Sequence, residues 1–202
     1  MRRIVFDLDD YGEPSILDCL TLLWELKAKN PGLKVTLFGI PYFLSAYRVE
    51  QLNSLGWIEL AMHGWAHKPW VPRLAEVIGK CSMVGEPECM LWTKEDAETY
   101  LKLGESMGFI KGFKAPYWST SQLVIDVLAE RGWWLAAHED NRDKFTYNLP
   151  VYFCPNPESV HAHTWACMQS NRGWGGGLQQ MMEGDLPFSP ESEFLFVSEV
   201  LK

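Results

Sequence analysis

The sequence has no pair of cysteines at the short spacing of a zinc ribbon or redox motif. Its five cysteines, Cys19, Cys81, Cys89, Cys154 and Cys167, are odd in number and widely spread. That pattern supports neither a zinc–thiolate site nor a disulfide framework, and reduced thiols are expected. A long apolar run is also missing: no uninterrupted stretch approaches the ~18 residues of a membrane span. Behind Arg2 and Arg3 the apolar segment is broken by Asp7, too soon for the core of a secretory signal. A chain with neither span nor export signal is expected to stay in the cytoplasm. Basic charge is scarce, with 18 Lys and Arg against 26 Asp and Glu and a net charge of −8. This balance argues against nucleic acid or an anionic membrane as the main partner. Neither a linker nor an internal repeat divides the 202 residues, so one domain spanning 1–202 is expected.

What is present is an alternation of two periodicities. Ile4-Val5-Phe6 runs into Asp7, Asp9, Asp10 and Gly12, a buried strand that opens into a charged turn. Ile16, Leu20, Leu23, Trp24 and Lys27 fall at helical spacing, with Ser15 and Asp18 as a loose capping box and Asn30-Pro31-Gly32 as the stop. Lys34 to Ile40 reads as a second strand, Pro41 to about Leu55 as a second helix, and Trp57 to Met62 as a third strand. Residues 69 to 92 read as a loop-rich insertion. Thr93 then caps a helix ending at Gly108, Phe109 to Lys114 is a strand, and Ser121 to Arg131 is an amphipathic helix closed by Gly132. Trp133 to Ala137 and Ser159 to His163 are further strands, and Gly173 to Gly177 is a flexible loop. Strands and helices in alternation imply a parallel sheet, either doubly wound or closed into a barrel.

Chemistry collects at the ends of these strands. Three carboxylates within four residues repel, and an interior tolerates them only with a cation, a shared proton or a metal ion. His63 and His67 follow the third strand at a spacing that turns two imidazoles the same way on a helical turn, a common arrangement for two ligands of one divalent ion. A carboxylate from the first strand would complete a three-ligand site with an open position. Lys114-Ala115-Pro116-Tyr117-Trp118 ends another strand, and alternation places His161 and His163 on one strand face.

Taken together, Asp9-Asp10, His63-x-x-x-His67, Lys114-Ala115-Pro116-Tyr117 and the late His163 resemble the ordered motifs of the polysaccharide deacetylase (NodB-type) family, carbohydrate esterase family four. The resemblance spans about residues 4 to 165. It implies an α/β fold, a distorted (β/α) barrel with fewer than eight strands whose site lies at the C-terminal strand ends. It makes Asp10, His63 and His67 the ligands of a divalent metal, zinc first among the candidates. Asp9 becomes the general base, His163 the general acid, and the Tyr117 N–H an oxyanion donor. The implied reaction is removal of N-acetyl groups from an amino sugar or glycan. The ion lowers the pKa of water and polarises the amide carbonyl, the carboxylate takes a proton, and the imidazolium returns one to the departing amine. Trp65, Trp118 and Trp165 sit inside or beside these motifs and suit stacking on a small-molecule or oligosaccharide substrate.

The chain departs from the family in defined places. Lys114 stands where the family has an arginine, keeping the charge without the two-pronged geometry. Gly64 replaces the usual Ser or Thr, Thr164 follows His163 in place of an aspartate, and His161 competes with His163 for the acid role. Trp133, Trp134, Asp140 and Asp143 all compete for the family's fourth motif. Two rival readings follow. Val5-Phe6-Asp7-Leu8-Asp9 also resembles the first motif of haloacid-dehalogenase-type phosphatases, with Asp7 as nucleophile and Asp9 as acid, a reading that leaves His63 and His67 without a role. The departures themselves motivate the other, a catalytically silent glycan-binding relative.

Overall fold

Nine residues, Arg3–Tyr11, form strand β1, which is buried on both faces from Ile4 onward. A strand flanked by sheet neighbours and covered on each side has no solvated face, which is why its sequence reads as a nearly continuous apolar run. The structure is a computed structural model and describes residues 2–12, 19–67, 88–164, 177–183 and 188–201. After β1 come α1 (Leu20–Lys29), β2 (Val35–Gly39), α2 (Ala46–Asn53), β3 (Ile58–His63), α3 (Lys94–Met107) and β4 (Gly112–Lys114). Then follow α4 (Gln122–Glu130), β5 (Trp134–His138), β6 (Val151–Cys154), β7 (Ser159–His163), α5 (Leu178–Glu183), β8 (Glu193–Leu195) and α6 (Val197–Val200).

Seven strands run in the order β6-β5-β4-β3-β2-β1-β7, and the short β8 pairs with the start of β1. Every one of these pairings is parallel. Among the described residues no ladder joins β6 to β7, so the wall is a distorted (β/α) barrel, nearly closed, with seven strands along its path. Alternation then sorts the side chains. Ile4, Phe6 and Leu8 face outward into the layer that holds Leu23, Leu26, Leu37, Leu101 and Leu128, while Val5, Phe38, Ala61, Ala136, Tyr152 and Cys154 face the interior. Asp7, Asp9, Thr36, Glu59, His63 and Lys114 are buried with them or above them.

Several elements differ from expectation, each for a local reason. Pro41 opens a single 3-10 turn over Pro41–Phe43, and the helix starts only at Ala46, where the Ser45 side chain caps the Arg48 N–H. Trp24 lies nearly half exposed with its ring edge-on to Trp57, so the buried stripe of α1 is Leu23 and Leu26. β6 was not legible, because only Tyr152 and Cys154 of its four residues are buried. The Thr93 cap and Gly108 stop occur as expected, with a capping box closed by Asp96 and Gly108 at φ +96°. Ser15, Asp18, most of the 69 to 92 insertion and Gly173 to Gly176 lie outside the described residues. None of the helices is long and apolar enough to cross a membrane, among the described residues.

The C-terminal segment closes the N-terminal end of the barrel. Val197 sits among the interior residues, its N–H donates to Thr36 Oγ1, and Ser198 donates to Glu59 through both its N–H and its hydroxyl. Burial raises the Glu59 carboxyl above its ordinary range; the hydrogen bonds from Ser198 and Thr36 only partly offset this. A raised carboxyl binds its proton more tightly when folded. Its stabilising contribution is therefore complete below the unfolded value, near 4.3, and is lost as pH rises through the folded one. Glu59→Gln retains an acceptor for Thr36 and a donor for Ser198. The variant is expected to be at least as stable as wild type at pH 7, with the difference vanishing near pH 4; each kcal/mol gained raises Tm by about 2–4 °C. A variant that melts lower at both pH values would show that Glu59 stays ionised.

Candidate active site

Adjacent residues of a regular strand point to opposite faces, so Asp9 and Asp10 should not serve one site. They do here because β1 breaks its register between Leu8 and Tyr11, and Asp10 adopts φ +67°. Aspartate is one of the few residues that enters the left-handed region readily. The irregularity turns the Asp10 carboxylate toward the end of β3, where its Oδ1 lies 3.2 Å from His63 Nε2 and 3.0 Å from His67 Nε2.

His63 and His67 meet by a different route from the expected helical turn. His63 ends β3, Gly64 takes φ +62°, and His67 takes φ +60°, so the chain doubles back and brings the two rings to 5.2 Å. Gly64 is required twice over. Besides its backbone angle, a Cβ there would lie 2.7 Å from Glu88 Oε2 and 2.8 Å from the Pro116 ring. Glu88 is a residue that sequence reasoning missed. It is buried, and its Oε1 accepts from the N–H groups of Trp65 (2.8 Å) and Ala66 (3.0 Å), so one carboxylate holds the turn between the two histidines. Burial raises the Glu88 carboxyl, and those two backbone donors pull against the rise. Nothing in the spacing pointed to it, since it returns from beyond the 69 to 87 stretch.

The donor set can be tested against a divalent ion. His63 Nδ1 lies 3.0 Å from the Lys114 carbonyl oxygen, which can only accept, so Nδ1 carries a hydrogen, and in the neutral form of the ring the Nε2 lone pair points at Asp10. A lone pair facing a carboxylate oxygen repels it unless a cation sits between. Bonds of about 2.0–2.1 Å in a tetrahedral shell put neighbouring ligands about 3.3 Å apart. The observed separations match, and the ligand atoms of Asp10, His63 and His67 all lie within 4.8 Å of one another. These residues therefore fit a divalent metal. Burial by itself would raise Asp10, but when the two rings are protonated instead, hydrogen bonding and charge from His63 and His67 outweigh it and hold the carboxyl well below its usual range.

Lys114 supplies the fixed cation that the acidic cluster needs. Its Nζ lies 2.9 Å from Asp7 Oδ2 and 2.8 Å from Asp9 Oδ1, both on the inner face of β1. The ammonium is also 4.0 Å from the centre of the Trp118 ring and 4.8 Å from that of Phe38. Burial opposes its charge, yet Asp7 and Asp9 more than compensate and raise its pKa. A single point charge shared between two carboxylates suits lysine, where a planar arginine fork would address one. Parallel register sets Asp7 beside His161 and Asp9 beside His163. His161 Nδ1 is 2.7 Å from Asp7 Oδ2, and the two rings of β7 stand 5.1 Å apart. Desolvation lowers the His163 pKa, with His161 and Lys114 adding to the drop and Asp9 and Asp10 resisting it.

The remaining candidates divide. Tyr117 (φ +56°) and Trp118 (φ +57°) continue from Lys114; the Tyr117 ring lies 5.1 Å from His67, and Trp118 sets its edge against His138 and His161. Four non-glycine residues in the left-handed region, Asp10, His67, Tyr117 and Trp118, thus gather at one mouth. Trp65 does not join them: its ring stacks on Tyr100 of α3 at 5.1 Å, packed against the outer core. Trp165 lies outside the described residues. Of the fourth-motif candidates, Trp133 is fully buried and donates to Glu105, Asp140 and Asp143 are exposed, and Trp134 packs on Phe38 inside the barrel. Asp7 is 1% exposed and held by Lys114 and His161, so it has no access to a phosphoester as the phosphatase reading required.

No protein-family model matches the sequence, and no curated protein matches it either. Solved structures do match. The CE4 domain of a multidomain xylanase from the hindgut metagenome of Trinervitermes trinervoides aligns over 98% of this chain and 89% of its own, at 14% identity and TM-score 0.52. A family 4 acetyl xylan esterase from Clostridium thermocellum, in complex with a cobalt ion, aligns over 98% and 90%, at 9% identity and TM-score 0.55. BA3943, a CE4 family pseudoenzyme from Bacillus anthracis, aligns over 100% of this chain at 10% identity and TM-score 0.58, and the chain spans 66% of its length. At such identities the likeness is one of fold.

Proposed function

We propose that this chain, built on the fold of the family 4 carbohydrate esterases, is a divergent polysaccharide-deacetylase-type hydrolase that removes N-acetyl groups from an amino sugar or short glycan. The observation that carries the reading is the convergence of Asp10, His63 and His67 at the C-terminal mouth of the barrel, directly beside Asp9 and His163. Asp10, His63 and His67 would hold a divalent ion, zinc first. When bound, the ion supplies a lowered pKa for water and a pull on the amide carbonyl.

The other roles belong to side chains of this chain. Asp9, held by Lys114 at 2.8 Å, takes the proton from the attacking water. His163, in register with Asp9 on the neighbouring strand β7, returns a proton to the departing amine. The Tyr117 N–H, carried on a left-handed turn beside His67, stabilises the developing oxyanion. Lys114 positions Asp9 without touching substrate, and Trp118 offers its ring at the edge of the mouth to a sugar.

The test pairs metal content with product. Purified wild type is expected to hold about one equivalent of tightly bound zinc or a similar transition metal and to release acetate from N-acetylglucosamine oligomers. Asp10→Ala and His63→Ala are expected to lose both. A chain that takes up no transition metal after reconstitution would overturn the reading. Tight metal binding without acetate release from any N-acetyl sugar would favour a silent binding protein, as the pseudoenzyme with this fold illustrates.

A further inference from the structure

We infer that the barrel mouth carries a second divalent-cation site, formed by Asp9, His161 and His163, beside the Asp10–His63–His67 set. Their ligand atoms lie within 4.8 Å of one another. The three residues sit on two paired strands, with Asp9 in register with His163 and His161 two positions back on the same face, so the backbone holds them side by side before any ligand arrives.

The hydrogen bonding around His161 is that of a ligand histidine. Its Nδ1 lies 2.7 Å from the buried Asp7 carboxylate and 3.3 Å from Lys114 Nζ; it donates to Asp7, the nearer group and the acceptor of the two, which leaves Nε2 as the electron-rich nitrogen. Nε2 then faces Asp9 Oδ2 at 3.6 Å, too long for a hydrogen bond. Two acceptors at that separation suit neighbouring positions around one ion with bonds of about 2.0–2.2 Å. Asp9 divides its oxygens accordingly: Oδ1 goes to Lys114 at 2.8 Å, and Oδ2 is turned to His161. Two imidazoles and a carboxylate suit zinc, cobalt, nickel or copper and disfavour magnesium or calcium.

Charge sets the order of filling. Asp7, Asp9 and Asp10 against Lys114 leave the mouth at −2 with neutral histidines. One divalent ion cancels that, and a second makes the mouth positive, so the second binds more weakly and fills only in excess metal. If the roles proposed above hold, the second ion takes the base and the acid together, and excess metal inhibits the reaction.

The experiment is a titration of the metal-free full chain with zinc or cobalt(II), bound metal being read by equilibrium dialysis and elemental analysis. Wild type is expected to reach two equivalents in separable steps, and His161→Gln only one, with the tighter step unchanged. Glutamine can still donate to Asp7, and a second variant, His161→Leu, removes the ligand without leaving a polar group; thermal melting establishes that each is folded. Asp10→Ala is expected to lose the tighter step and keep the weaker one. Saturation of wild type at one equivalent, or two equivalents in both folded His161 variants, overturns the second site. Failure of the first site instead shows as Asp10→Ala retaining every step, so the two failures are distinguishable. Acetate release that falls as the second equivalent binds, in wild type alone, assigns the inhibition to this site; activity unchanged at two equivalents overturns the inhibitory role.

Discussion

Lys114→Met is expected to destabilise the protein by about 3–5 kcal/mol, because it removes the ammonium that pairs with two buried carboxylates and is charged at every working pH. Methionine approximates the volume of the lysine stem, so the loss reports charge and not a cavity. What remains is Asp7, 1% exposed, and Asp9, 4% exposed, two positions apart on one strand face. For a chain of this size the loss lowers Tm by about 6–20 °C. Burial by itself would raise Asp7, but Lys114 and His161 outweigh it and hold its carboxyl below the ordinary range. A lowered carboxyl stabilises above its unfolded value, near 3.9, and that contribution is lost as pH falls through the folded one. Lys114 is raised, so its contribution is complete below its unfolded value, near 10.4, and is lost as pH rises through the folded one. The pair therefore stabilises fully from about pH 4 to 10. Asp7→Asn added to Lys114→Met is expected to recover part of the loss, since one of the two stranded charges is gone. Melting of the single variant within about 2 °C of wild type at pH 7 would mean that the cluster is neutralised by protons instead.

The second large effect is on rate. Asp9→Asn and His163→Asn are each expected to lower kcat by about 10²–10⁴-fold while the tight metal equivalent stays bound, because proton transfer is lost and the Asp10–His63–His67 donors are untouched. Asparagine in place of Asp9 relieves Lys114 of one carboxylate but leaves Asp7, so folding should persist. The contrast with Asp10→Ala separates holding the ion from moving protons. Asp9→Asn with unchanged kcat would remove Asp9 from the base role, and a His161→Gln variant as slow as His163→Asn would give the acid role to His161. Both outcomes are read from initial rates of acetate release at saturating substrate.

Much of this fold was legible because a parallel barrel writes its layers into the sequence. Buried strands read as apolar runs, and helices read as a 3.6-residue stripe between Ser or Thr caps and glycine stops, as in Thr93 to Gly108 and Ser121 to Gly132. Local exceptions were legible only in part. Pro41 begins a 3-10 turn because the chain needs a corner before Ser45 can cap α2, a geometric demand that propensity does not carry. Strand β6 hid because half of its residues are only partly buried.

For the site, the chain itself determined which chemical groups arrive at the mouth. Carboxylates toward the end of β1, His63 ending β3 with His67 just beyond it, an ammonium ending β4 and two imidazoles along β7 follow from strand ends and alternation alone. Only the tertiary structure decided how they are shared. The break in β1 that lets Asp10 face the histidines is a backbone angle, invisible in residue order. Glu88 reaches the His63–His67 turn, and Lys114 divides itself between Asp7 and Asp9, across separations that no local window spans. Trp65 lost its place at the mouth because Tyr100 of α3 stacks on its ring. Periodicity reports which face a side chain takes within its own element, whereas contact between elements is set by packing and register, which exist only once the barrel has formed.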